Sequence, residues 1–234
     1  MKKFIAKESF WELFPDAKLG VLIIKDTNNN FESPGEVKVL LQRANTEAEK
    51  FFVKATFSEN PVIAVWREAY KKFKTKKGVR ASIEALLKRV EKGQPVGTIN
   101  PIVDIYNAAS LNFGIPCGAE DIDTFDGDLN LGITQGGDSF VPLGGEESPT
   151  LEGELCYYDN SGAVCRCFNW RDAERTMITE NTKNVFLIME LLDRTRDEEL
   201  DNALEFLNEN IKKYCGGEIT KHILTKDNKE IEIE

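Results

Sequence analysis

Residues 165–188, CRCFNWRDAERTMITENTKNVFLI, decide how this chain is read. At their start Cys165, Cys167 and Asn169 alternate with Arg166, Phe168 and Trp170. Successive side chains of an extended strand point to opposite faces, so this spacing predicts two unlike faces, one of them a site or an interface. Arg171, Asp172, Glu174 and Arg175 then place four charges in five residues, ahead of the apolar run 185–188. Charges in that position line a pocket mouth or a solvated turn.

Outward from this stretch, residues 129–133, 140–143, 154–158 and 164–168 read as four short strands. Gly136-Gly137, Gly144-Gly145 and Asn160-Ser161-Gly162 separate them as turns. Short strands with glycine turns suggest a barrel or a sandwich. Before them, residues 19–24 form a buried strand. Helical spacing begins at Pro34 and Asn60-Pro61, runs again through 80–90, and returns at 103–111, closed by Gly114 and Pro116. After them the run 185–192 leads to an amphipathic helix over 197–213, stopped by Gly216-Gly217. The tail, residues 222–224 and 231–234 around Asp227-Asn228, reads as a closing hairpin.

Composition narrows the chemistry. The chain has 234 residues, 41% of them hydrophobic, enough for one large domain or two small ones, and no apolar run approaches bilayer length. The N-terminal MKKFIAKESFWELF breaks its apolar core with Lys7, Glu8 and Glu12, unlike a secretory leader. With five cysteines, an odd number, this favours reduced thiols and a cytoplasmic location. The single histidine, His222, sits in the tail, which disfavours a Ser-His-Asp triad or a multi-histidine metal site. Cys165 and Cys167 lack a CxxC partner and read as buried thiols. The glycine pairs lack the lysine and helix of a phosphate-binding loop. Glu120, Asp121, Asp123, Asp126 and Asp128 miss the calcium-loop spacing and read as a solvated acidic loop. No metal and no cofactor are expected.

A net charge of −10 argues against a polyanionic partner, but the distribution is uneven. Residues 67–92 carry Arg67, Lys71, Lys72, Lys74, Lys76, Lys77, Arg80, Lys88, Arg89 and Lys92 against Glu68, Glu84 and Glu91. This is either a solvated helical face or a nucleic-acid contact, with Lys71, Lys74, Lys77 and Arg80 its candidates.

The segments VDIYNAASLNFGIPCGAEDID and, after the strands, ERTMITENTKNVFLI occur together in an order that resembles the editing domain of the bacterial phenylalanyl-tRNA synthetase beta subunit. With its SIEALLKR and CRCFNWRDAE elements the chain is more similar to free-standing relatives of that module. Nothing in it resembles the synthetase's catalytic or anticodon-reading domains. The resemblance implies an α+β fold with a six-stranded Greek-key barrel core and flanking helices. It implies one editing-like unit over 1–234: an N-terminal part (1–97), a motif-bearing barrel region (98–192) and a C-terminal helix and hairpin (193–234). The implied activity is hydrolysis of mischarged aminoacyl-tRNA, with tRNA as partner. The alternatives are a tRNA- or amino-acid-binding module without catalysis and an interaction protein that keeps only the scaffold.

Carried over by position, Glu174 falls on the family's pocket glutamate and Asn107 on its asparagine, while the family's histidine corresponds to Gly118 and a threonine to Tyr106. Asp172 joins Glu174 and Asn107 as a candidate catalytic residue. Tyr106, Cys117, Gly118 and Trp170 are candidate pocket residues, and Arg171 and Arg175 candidates for the terminal phosphates. An aminoacyl ester is already labile, so an oriented water suffices and histidine is not required.

Overall fold

Two strands are apolar along almost their whole length, and the fold is arranged around them. A computed structural model describes residues 1–234. The chain begins with β1 (Lys3–Ala6) and α1 (Glu8–Leu13), then the first long apolar strand, β2 (Lys18–Lys25). Four helices follow: α2 (Gly35–Glu47), α3 (Pro61–Ala69), α4 (Ser82–Glu91) and α5 (Pro101–Phe113). Helix α5 has clear ends, because the Asn100 side chain accepts from the Val103 N–H at 3.0 Å and Gly114 closes it at a left-handed φ of 61°.

Short strands then run as β3 (Cys117–Asp121), β4 (Leu129–Ile133), β5 (Leu155–Asp159), β6 (Gly162–Arg166) and β7 (Arg171–Asp172). The second apolar strand is β8 (Val185–Leu191), all seven residues buried. It is followed by α6 (Asp197–Tyr214), β9 (Glu218–Leu224) and β10 (Glu230–Glu232).

The strands divide into two sheets, one of six in the order β10-β1-β4-β5-β6-β7 and one of four in the order β3-β8-β2-β9. The second is antiparallel throughout, with β2 and β8 paired from Lys18↔Leu191 to Ile24↔Val185. Strands buried on both faces read as unbroken apolar runs. One face of β8 presents Leu187, Met189 and Leu191 to a core shared with α5 and α6, and the other presents Phe186 and Ile188 to the core that includes the six-stranded sheet. Helix α6 lies so close to β2 that a Cβ at Gly20 would stand 2.7 Å from Leu204 Cδ1.

The α+β class and the flanking helices are as expected, and one sheet does have six strands. It does not close, because β10 and β7 are its two edges while β2, β3, β8 and β9 form the separate sheet. Residues 140–143 are not a strand. They make one isolated bridge, Pro142↔Ala173, since a proline has no N–H for a ladder. The tail is not a paired hairpin either: Thr225 and Asn228 bridge across a tight turn, then β9 joins β2 in one sheet and β10 joins β1 in the other.

Candidate functional site

The strand expected over residues 164–168 stops early. After Arg166 the backbone turns left-handed at Cys167 (φ 48°) and Phe168 (φ 69°). Each such residue costs roughly 1–2 kcal/mol when it carries a Cβ. The surroundings hold the turn in place. The Phe168 N–H donates to the Leu155 carbonyl at 2.6 Å, and its ring packs on Phe10, Phe14 and Trp66 at 5.3–5.7 Å between centroids. Behind it Arg166, fully buried, forks onto Glu154 and donates through Nη1 to the Ser148 carbonyl at 2.7 Å. The alternation read from the sequence therefore breaks at Cys167, whose Sγ lies 3.4 Å from Glu154 Oε1, while Cys165 lies elsewhere, against Asp172.

This turn delivers Phe168, Asn169 and Trp170 to a small cavity between the two sheets, of about 70 Å³. That is room for several waters or a short side chain. The four-stranded sheet contributes Cys117, Gly118, Glu120, Phe186, Ile188 and Glu190, and the six-stranded sheet Tyr157, Cys165 and Asp172. Ser82, the first residue of α4, completes the wall. A Cβ at Gly118 would meet nothing within 4 Å, so the space beside this residue is open.

The cavity is acidic and has no basic side chain in its lining. Glu190 accepts from the Tyr157 O–H at 2.7 Å and from Asn169 Nδ2 at 3.2 Å, and burial pushes its carboxyl up to about 8. Glu120 is held well above the usual carboxylate range, first by burial and then by the charge of Asp172. Burial also raises Asp172, which is half-buried where the cavity meets an adjoining groove. The Cys117 and Cys165 thiols are pushed up by burial and stay protonated, so neither supplies a thiolate at neutral pH. No three His, Cys, Asp or Glu side chains are grouped to hold a metal ion.

A hydrogen-bond chain ties this cavity to the basic segment. The Tyr70 O–H donates to Asn169 Oδ1 at 3.0 Å, and the Ser82 N–H to the Asn169 carbonyl at 3.1 Å. Between them residues 71–80 form a largely exposed loop. Lys71 pairs with Glu68, and Lys76 reaches Ser148, whereas Lys74, Lys77 and Arg80 project into solvent. Arg67, Tyr70, Lys71, Gly78, Val79 and Arg80 line a surface groove there.

Of the residues singled out in the sequence, Cys117, Gly118, Trp170 and Asp172 meet at the cavity. Tyr106 and Arg171 line an adjoining apolar groove with Val103, Leu143 and Ile178, which shares Ala119, Trp170 and Asp172 with the cavity. Glu174 is exposed, its N–H donating to the Val141 carbonyl, and Asn107 is buried on α5 outside the cavity lining. Arg175 is engaged by Asp159 through two bonds of 2.8 and 2.9 Å and by the Thr124 carbonyl. Sequence reasoning missed Glu120 and Glu190. Glu120 is no part of a solvated loop: it lies on β3 and is buried. Glu190 had a readable signal, the one charge within an otherwise apolar strand, VFLIMEL.

No curated protein matches the chain. Among solved structures, an N-terminal fragment of the phenylalanyl-tRNA synthetase beta subunit from Pyrococcus horikoshii is similar over 97% of this chain and 53% of its own, at 13% identity and a TM-score of 0.48. The chain thus spans about half the length of that fragment. The B3/4 domain pattern matches residues 65–216, a segment that begins in α3, takes in the basic loop and every strand that lines the cavity, and ends just beyond α6. The chain belongs to the B3/4 domain family, that of the phenylalanyl-tRNA synthetase beta subunit.

Proposed function

We propose that this B3/4 protein is a trans-acting hydrolase that removes the amino acid from mischarged aminoacyl-tRNA. One observation carries the reading. An exposed basic loop, 71–80, is hydrogen-bonded through Tyr70 and Ser82 to Asn169, which itself reaches into a carboxylate-lined cavity. A polyanion laid along the loop brings its end to the cavity mouth. Phosphate contacts position such a ligand, and the cavity then reads what it carries.

Asp172 stands where the cavity meets the adjoining groove, and its raised proton affinity makes its ionised form a better base. It takes a proton from a water as the water oxygen attacks the ester carbonyl carbon. The bond from that carbon to the ribose oxygen then breaks, the ribose oxygen takes a proton, and a free amino acid and a deacylated tRNA remain. Trp170 shields the reacting face. In this scheme Glu174, exposed at the rim, and Arg171 serve the tRNA end, and Asn107 supports the pocket from α5.

The test is deacylation of a panel of mischarged tRNAs followed by loss of the ester. Asp172→Asn is expected to lower the rate about 10²- to 10³-fold, the scale seen when a transition-state hydrogen-bond partner is removed. Glu174→Ala is expected to lower it tenfold or less. Tight tRNA binding with no turnover on any member of the panel would leave a binding module in place of an enzyme.

A further inference from the structure

We infer that the cavity between the sheets recognises a primary ammonium group, held by Glu120 and enclosed by aromatic rings. The inference deepens the proposed function, since it names the part of the aminoacyl group that the site reads.

Three carboxyl groups, those of Glu120, Asp172 and Glu190, line a cavity that contains no lysine, arginine or histidine. Buried carboxylates are ordinarily paired, because an unpaired buried charge costs far more than an unpaired neutral group. Arg175, the cation whose charge acts on Glu120, is already engaged by Asp159. Glu190 has its own donors in Tyr157 and Asn169. Glu120 has only the Thr176 hydroxyl and the Asp172 carboxyl beside it, its Oε2 is buried with no hydrogen-bond partner, and the residue is only 6% exposed. Burial disfavours the ionised form of this carboxyl, and a cation placed against it would restore that form, so the partner that suits it is a cationic donor.

The rest of the wall fits the same ligand. Tyr157, Phe168, Trp170 and Phe186 all line the cavity, and aromatic faces attract a cation through their quadrupoles. The space, about 70 Å³, admits a small ammonium, and a fully alkylated one would bring no N–H donor to the carboxyls. A primary ammonium brings three N–H donors, which suits carboxylates converging from two sheets. The ammonium has two sources in an aminoacyl ester, the α-amino group or a basic side chain.

Calorimetry with the full chain tests this. Glycinamide carries an ammonium and no carboxylate, and it is expected to bind where N-acetylglycinamide and tetramethylammonium do not. Glu120→Gln is expected to weaken glycinamide about 10- to 100-fold, the range of a charge-assisted hydrogen bond. Equal binding of norleucinamide and lysinamide identifies the α-amino group as the one that is read, and binding of Nα-acetyllysinamide beside that of glycinamide shows that a side-chain ammonium enters as well; both support the inference. Binding of N-acetylglycinamide as tight as that of glycinamide overturns it on the unaltered protein, whatever the variant does. An unchanged affinity in a Glu120→Gln protein that melts like the parent overturns it too. The two readings fail separately. Amine binding without ester turnover sinks the hydrolase alone, and equal turnover of N-acetylated and free aminoacyl-tRNA sinks the ammonium reading alone.

Discussion

Glu190 binds a proton more tightly in the folded chain than in the unfolded one, and this makes it a source of pH-dependent instability. Its folded value is about 8 against an ordinary 4.5. Facing it are Tyr157 from β5, Asn169 and Cys165 from the β6 end, Asp172 from β7, Cys117 from β3 and Tyr70 after α3, none of them a cation. Below the unfolded value both states hold the proton and nothing changes. Between about 4.5 and 8 only the folded state holds it, so stability falls as pH rises and levels off above the upper value. The full fall corresponds to about 3–5 kcal/mol at most, at 1.36 kcal/mol per unit. Urea unfolding of the parent and of Glu190→Gln from pH 5 to 9 is expected to show a steeper decline in the parent. Parallel curves would mean that Glu190 titrates normally.

At the scale of elements, the loop between α3 and α4 has the features of a phosphate-binding surface, because Lys74, Lys77 and Arg80 have no acidic partner. Replacing Lys71, Lys74, Lys77 and Arg80 together by glutamine is expected to weaken tRNA binding. It is also expected to flatten the dependence of log affinity on log salt by about 0.7–0.9 for each phosphate that the variant no longer neutralises. An unchanged affinity and slope would make the loop an ordinary solvated surface. This basic segment was visible in the sequence because charge is compositional. Helices α5 and α6 and strands β2, β4 and β8 were visible for a related reason, since their burial is one-sided or complete and leaves a periodic or unbroken apolar pattern. What was hidden depends on partners distant in sequence. β1 is only four residues long and exists by pairing with β4 and β10. The expected strand over 140–143 had the right residues and no ladder to join. The acid cavity was hidden for the same reason. Glu120, Asp172 and Glu190 lie on three strands, and only the left-handed turn at Cys167 and Phe168 brings Asn169 to Glu190.

For the molecule as a whole, two pieces of covalent or ionic stitching matter most. The first is Arg166 on Glu154, both side chains fully buried, which joins β6 to the residue just ahead of β5 and, through Ser148, to the glycine-rich loop. Arg166→Met strands a buried carboxylate and is expected to cost about 3–5 kcal/mol, whereas adding Glu154→Gln should recover much of it. Equal stability of the single and double variants by urea unfolding would show that the pair is not coupled. The second is the turn at Thr225–Asn228, from which the last two strands part to different sheets. Lys226 in that turn is exposed, so one trypsin cut there leaves β10 held by non-covalent contacts alone, namely three residue pairs with β1, the buried Ile233 and the ion pairs of Lys229, Glu230 and Glu234. Its departure would bare the outer edge of β1, and a bare strand edge is a template for another chain. Limited trypsin digestion is expected to convert the protein into self-associating species by size-exclusion chromatography, and a nicked protein that stays unassociated would show that β10 holds without its tether. A single surface bond thus sets whether this sheet ends in its own strand or in its neighbour's.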